Sequence, residues 1–299
     1  MQIFQDQPNH NIMGRMRLFV SASVLLVLLS IGLYFAKGIH YGIDFSGGTL
    51  IQVRFQSTPE IGVVRDLFSQ KLKTSVSITS FGDQANNEIL ITLPQGAFGE
   101  KANIGLEIQS LLDGPYKGYE IRRIESVGAK VGDELKTKAL DAALFAMLGI
   151  LIYVGFRFQF KYAFAAVAAL FHDVIIAMGF FIVFDKEFSL TIVAAILTLI
   201  GYSLNDTIVV FDRIRENVAR LPKTPLLEVI NRSINESLSR TVLTSLTTFF
   251  VVAVMFVMGG EIIHDFCFVM VVGLVVGTYS SIFVASPIVW WIDQRKRAK

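Results

Sequence analysis

FSLTIVAAILTLIGYSLNDTIVVF, Phe188 to Phe211, is twenty-four residues long and contains one charged side chain, Asp206. As a helix it would rise about 36 Å at about 1.5 Å per residue, enough to cross a hydrocarbon layer about 30 Å thick. The stretch therefore predicts a membrane span with a carboxylate buried in it. Five similar runs surround it, at 18–36, 139–156, 162–184, 241–258 and 266–291. Composition agrees: 53% of the 299 residues are hydrophobic and 17% are charged, against roughly 25% charged in soluble domains. The expected fold class is an integral membrane bundle of six helices, with one globular domain between the first two.

The first run follows Arg15 and Arg17 and ends at Lys37, which also suits a signal peptide. Its length and the poor cleavage site before Lys37 favour an uncleaved anchor. Positive charge then sets direction. The N-terminus (1–17) and the even-numbered loops carry Arg157, Lys161, Arg213, Arg215, Arg220, Lys223, Arg232 and Arg240. The tail, 292–299, adds Arg295, Lys296, Arg297 and Lys299, whereas the short opposite loops hold only Lys186. By the positive-inside rule both termini and the 212–240 loop are expected in the cytoplasm. Trp290 and Trp291 stand at that boundary.

Residues 37–138 are then expected outside. Thr49–Phe55 alternates like a strand, and Pro59–Lys73 places Ile61, Val64, Leu67, Phe68 and Leu72 at helical spacing. Ser75–Phe81 and Glu88–Leu93 alternate again, split by a turn at Gly82-Asp83 and Asn86-Asn87. Lys101–Leu112 reads as a helix and Tyr119–Val127 as a strand. The order β-α-β-β-α-β fits a ferredoxin-like α+β sandwich.

Enzyme chemistry finds no support. Cys267 is the single cysteine, and His10, His40, His172 and His264 are scattered without a metal-binding spacing. Hydrolase, P-loop and dinucleotide signatures are missing, so no cofactor is expected. A net charge of +2 is too small to suggest nucleic acid.

Polar residues within the spans are more informative. A charged side chain at mid-membrane costs about 2.5 to 3.5 kcal/mol on insertion scales, and one that persists usually has a partner and a role. Asp206 lies roughly 9 Å along its helix from Asp212, beside Asn205, with Thr198, Tyr202 and Ser203 on its face. Arg240 opens the fifth span, with Thr244, Thr247 and Thr248 on its own face. An antiparallel helix pair would bring Asp206 and Arg240 together. The arginine would favour the ionised carboxylate and desolvation the neutral one, and a group between those pulls can switch. His172 and Asp173 lie near the middle of the third span; about 100° apart on a helix, they are expected to face different neighbours. A static bridge, a snorkelling Arg240 and threonines bonded to their own helix remain open as the plainer reading. Gly273-x-x-x-Gly277 with Ser281 is a small-residue face for close helix packing.

Several segments carry a resemblance. Tyr41-Gly42-Ile43-Asp44-Phe45-Ser46-Gly47-Gly48-Thr49 resembles the signature of the SecF family. Further matches are Val127 to Leu135 (with Ala129 where proline is often found), Leu170 to Val174, Gly201 to Asn217 and Ser233 to Thr241. The resemblance covers nearly the whole chain. It implies half of an RND-type membrane domain in the bacterial inner membrane, completed by SecD, with the large loop periplasmic. It also implies association with the SecYEG channel and use of the proton gradient for late steps in exporting unfolded preproteins, with lipid as the remaining neighbour. In that family the carboxylate at the position of Asp206 and the arginine at that of Arg240 are associated with proton passage. Gly42, Gly47, Gly48, Gly128 and Gly132 then suit hinges or close packing at the domain's junctions. A passive scaffold is the alternative. A small-molecule exporter would need larger outer domains.

Overall fold

The structure, a computed structural model, describes residues 10–74, 76–81, 87–98, 103–113, 116 and 118–297. A 3-10 turn, Met13–Arg15, leads into α1, Met16–Lys37. Next come β1, His40–Tyr41; the one-turn α2, Ile43–Ser46; β2, Gly48–Phe55; and α3, Ile61–Leu72. β3, Ser77–Phe81, and β4, Glu88–Leu93, precede α4, Ile104–Leu112, and β5, Tyr119–Val127. The remainder is α5, Ala129–Arg157; α6, Phe160–Val183; β6, Glu187–Phe188; α7, Leu190–Arg220; and α8, Leu226–Met258. The chain ends with α9, Glu261–Ser280, a π-turn, Ser281–Ala285, and α10, Ser286–Arg297.

Among the described residues six helical stretches are long and apolar enough to cross a membrane. They are Met13–Lys37, Ala129–Arg157, Phe160–Val183, Leu190–Arg220, Leu226–Met258 and Ile263–Arg295. Two compact units result: an inserted domain, Tyr41–Asp141 with Glu187–Leu190, and a helical body formed by the other described residues.

In the inserted domain four strands run in the order β3-β4-β2-β5, and every pairing is antiparallel. The alternation of β2 explains the layering. Ile51, Val53 and Phe55 enter the core, whereas Leu50, Gln52 and Arg54 lie on the opposite face. Ile89, Ile91 and Leu93 of β4 do the same, and Val64, Phe68, Ile108, Leu111 and Leu112 close the core from α3 and α4. α3 begins at Ile61, two residues after Pro59, because Glu60 is still extended. Asn103 caps α4 by accepting the Leu106 N–H at 3.4 Å. The expected helix start at Lys101, the turn at Gly82, Asp83 and Asn86, the strand start at Ser75 and the terminal Lys299 lie outside the described residues.

In the helical body small residues set the spacing. A Cβ on Gly273 would come within 2.5 Å of the Leu199 side chain, and one on Gly277 within 3.0 Å of Ser203 Cβ. α9 therefore lies tightly on α7 through these glycines. The segment 212–240, expected as a loop, is helical apart from residues 221–225. Ile214 and Asn217 on α7, and Val229, Ile230, Ser233, Ile234 and Ser237 on α8, recur at helical spacing and are buried. Both helices thus continue past their most apolar stretch. α5 likewise starts at Ala129, so residues 129–138 are its first turns.

Candidate functional site

Asp206 on α7 is 1% exposed. Ser245 on α8 donates its hydroxyl to Asp206 Oδ2 at 2.7 Å. One turn earlier, Tyr202 donates its hydroxyl to Thr244 O of α8 at 2.9 Å. Residues i and i+4 share a helix face, so Tyr202 and Asp206 both present polar atoms to α8. Arg240 was the partner expected from the sequence, yet its side chain is exposed. Among the described residues no ion pair joins it to Asp206, on which its charge acts through space.

A second carboxylate, Asp173 on α6, is also 1% exposed and gathers three partners. Ser203 of α7 donates to Oδ2 at 2.5 Å, and Ser280 of α9 donates to the same oxygen at 2.8 Å. His172 Nδ1 lies 2.8 Å from Oδ1. This corrects the expectation that His172 and Asp173 face different neighbours. Nδ1 is the ring nitrogen nearer the backbone, and the short aspartate side chain can swing across the 100° between them. His172 Nε2, by contrast, is buried and has no hydrogen-bond partner among the described residues, in a residue 7% exposed. The His172 ring stacks on that of Tyr279 at 6.3 Å. Tyr279 in turn donates its hydroxyl to Phe19 O at 2.7 Å and accepts from Ser23 at 3.0 Å.

α7 thus carries two polar faces. Tyr202 and Asp206 meet α8, while Ser203 meets Asp173. Asn205 is exposed and makes no hydrogen bond among the described residues. Thr244 and Thr248 return their hydroxyls to carbonyls of their own helix, Arg240 O or Thr241 O and Thr244 O respectively. Thr198 bonds back to Ala194 O. Among the described residues Thr198 and Thr248 reach neither carboxylate by a hydrogen bond of their own, whereas Thr244 stands close enough to Asp206 to act on it.

The donor to Asp206, Ser245, was missed because the stripe was measured from Arg240. The buried face of α8 is offset from it, through Ile230, Ile234, Ser237, Thr241 and Ser245. Counting from Ile230 would have found it. The clamp formed by Asn231 and Asn235 was also missed. Asn235 Oδ1 accepts His10 N at 2.9 Å, and Asn231 Oδ1 accepts Ile12 N at 2.8 Å and Met13 N at 3.0 Å. At the end of the body that leads to the inserted domain, Asp185 binds Lys37 at 3.1 Å and His40 at 3.0 Å. Asp265 there binds Lys186 at 2.8 Å and His264 at 3.2 Å.

The glycine-rich signature lies wholly within the inserted domain. Asp44 Oδ2 accepts the N–H of Leu190, the first residue of α7, at 2.8 Å. Phe45 packs on Phe188 with ring centroids 5.4 Å apart, and Gly42 N donates to Phe188 O at 2.9 Å. Gly48 has φ +141°, and a Cβ there would lie 2.5 Å from Leu93 O. Gly47 has φ +68° and faces the backbone of Ala129 at 3.1 Å. Thr49 Oγ1 meets Ser126 Oγ at 3.1 Å. Among the described residues no three His, Cys, Asp or Glu side chains gather where a metal ion could sit.

Chemically, then, two buried carboxyl groups have hydroxyl and imidazole neighbours and no lysine or arginine at ion-pair distance among the described residues. A buried charge without a countercharge is costly.

Residues 107–295 match the family described as "Protein export membrane protein SecD/SecF, C-terminal", and residues 35–59 match "SecD/SecF GG Motif". The chain is 44% identical to a protein translocase subunit SecF of Calditerrivibrio nitroreducens, covering 99% of each sequence. It is also 44% identical to one of Magnetococcus marinus, covering all of this chain and 97% of that one. Among solved structures it is similar to SecDF, a translocon-associated membrane protein from Thermus thermophilus, at 38% identity and a TM-score of 0.88. That match covers 98% of this chain but only 40% of the SecDF chain. A SecDF in a super-membrane-facing form matches with a TM-score of 0.73. The chain belongs to the SecD/SecF family of protein export membrane proteins.

Proposed function

We propose that this chain is the SecF-type subunit of a protein-export complex, and that with SecD it couples proton flow to late steps of preprotein translocation through SecYEG. The observation that carries the reading is Asp206. It is an almost fully buried carboxylate on a membrane-length helix, held by the Ser245 hydroxyl of the next such helix. A proton bound there removes the charge and changes what Ser245 and the distant Arg240 hold. Each charge crossing the full potential supplies about 2.3 kcal/mol per 100 mV, enough to bias two states by more than tenfold. Asp173 with His172 is the second candidate relay.

In this reading the inserted domain is a ferredoxin-like sandwich on the periplasmic side, and both termini lie in the cytoplasm of a bacterium whose inner membrane holds the six helices. Its order β3-β4-β2-β5 supports the first point, and the concentration of lysine and arginine in the opposite loops supports the second. The partners are SecD, SecYEG, unfolded exported chains and lipid, with no nucleic acid and no cofactor. The half-bundle is completed by SecD, consistent with the chain's spanning 40% of the matched SecDF chain.

The test is gradient-driven completion of translocation in membrane vesicles, comparing the native chain with Asp206→Asn, with SecD co-purified to show assembly. Loss of the gradient-dependent part with assembly intact supports the relay. Undiminished translocation would leave Asp206 as packing and make the chain a scaffold.

A further inference from the structure

Asp173 draws donors from three helices, and one of them ends at an irregularity. Ser280, which donates to Asp173 Oδ2, is the last residue of α9 before the π-turn Ser281–Ala285. Just after that turn, Ser286 Oγ donates to Ser281 O, five residues back. A π-turn is one extra residue in an α-helical winding, and such turns concentrate at functional sites. Relieving it would rotate α10 by about 100°. Ser280 Oγ also has Gly277 O in reach at 3.1 Å, so it has a second acceptor when the carboxylate no longer needs it. Beside the turn an apolar groove of about 420 Å³ has Tyr279, Ile282 and Phe283 on one wall. Ser245, the donor to Asp206, lies on the other.

Resting on the reading that Asp173 exchanges a proton, we propose that Ser280 is a positioning residue that couples the protonation state of Asp173 to the winding of the sixth span. With Asp173 ionised, Oδ2 accepts from Ser203 and Ser280 together, and the π-turn is held. A proton passes from Nδ1 of the His172 imidazolium to Asp173 Oδ1. The N–H bond breaks and the O–H bond forms, leaving an imidazole protonated at Nε2 and a neutral acid. Oδ2 is then a weaker acceptor, Ser280 turns to Gly277 O, and the turn is free to rewind toward the groove that Ser245 borders. This places the two carboxylates on one mechanical circuit.

Few other groups can confuse the titration. Of the helices packed on Asp173, α6 presents His172, α7 presents Ser203, and α9 presents Ser280 with Gly277 left open. α1 reaches the cluster through Ser23 on Tyr279. Among the described residues no lysine, arginine or further carboxylate contacts Asp173.

The experiment is amide hydrogen exchange over residues 281–286 in the intact complex with its partner subunit in lipid. It runs from about pH 5 to about pH 9, spanning the histidine range, and is corrected for intrinsic exchange. Native protein and Ser280→Thr, which keeps the hydroxyl, should show exchange rising about tenfold as pH falls through one titration. Ser280→Ala and Asp173→Asn should show none. A flat native profile, or the same profile in Asp173→Asn, would overturn the coupling. Gradient-driven translocation by Asp173→Asn is measured alongside. Lost translocation with flat native exchange rejects the coupling and spares the relay. Normal translocation with the expected exchange pattern rejects the relay at Asp173 and upholds the coupling.

Discussion

The carboxylate of Asp44 accepts the backbone N–H of Leu190 at 2.8 Å, so a residue of the glycine-rich signature caps the helix on which Asp206 sits. The first N–H groups of a helix have no partner within it, and a side-chain acceptor there stabilises by about 1 kcal/mol. Asp44→Ala should therefore lower the stability of the complex by about 1 kcal/mol. It should also raise amide exchange in the first turn of α7, with Asp44→Asn nearer to native. Unchanged exchange at Leu190 in the alanine variant would show that the contact does not hold the helix.

Ser245 and Arg240 separate contact from charge. Ser245→Ala removes the hydrogen bond to Asp206 and should slow gradient-driven translocation roughly tenfold, as for the loss of about 1.4 kcal/mol. Ser245→Thr should restore most of the rate. Arg240→Ala, whose side chain is exposed, should leave unfolding within about 0.5 kcal/mol of native and still abolish the gradient-dependent rate. A large loss of stability in Arg240→Ala would mean that Arg240 is a structural residue.

The two signature glycines should respond unequally. Gly48→Ala meets Leu93 O at 2.5 Å with φ at +141°, whereas Gly47→Ala meets Ala129 at 3.1 Å with φ at +68°. Such backbone strain costs of order 1–3 kcal/mol, and the closer clash adds to it only at Gly48. Thermal unfolding of the complex should rank Gly48→Ala well below Gly47→Ala. Loss of export on replacing both would then come from packing alone and would not identify a hinge.

Tyr119 supplies a pH dependence. Burial, with the hydrogen bond and charge of Asp113, pushes its phenol up to about 12. A free tyrosine titrates near about 10, so the folded domain keeps a proton that the unfolded chain releases. The stability this adds is complete below about pH 10 and is lost as pH rises through about 12. Tyr119→Phe should flatten the fall in the domain's stability across that window, read by amide exchange of β5. An equally steep fall in the variant would assign the effect to other groups.

Hydropathy made the membrane helices legible, because a run such as Phe188–Phe211 has no other economical use. Alternation made the sheet legible, because one face of β2 and β4 had to be apolar. The helical ends at 212–220 and 226–240 were less visible, since their buried faces mix Asn217, Ser233 and Asn235 with aliphatic residues. Asp206 and Asp173 stood out by cost alone. Their actual partners did not, since serine is ordinary within a helix and pairing depends on which face meets which neighbour. The π-turn left no sequence signal beyond the serines at 280, 281 and 286.

α7 runs without a break from Leu190 to Arg220, thirty-one residues or about 46 Å. Asp206 lies roughly 24 Å along it from the end that Asp44 grips. An unbroken α-helix behaves as a stiff strut: it passes on sliding and rolling and resists compression. A displacement of the strut at Asp206 is therefore passed along its own axis as a slide or a roll. Proline in this interval, at Ala194 for instance, would turn a strut into two sticks and disconnect the ends without touching either.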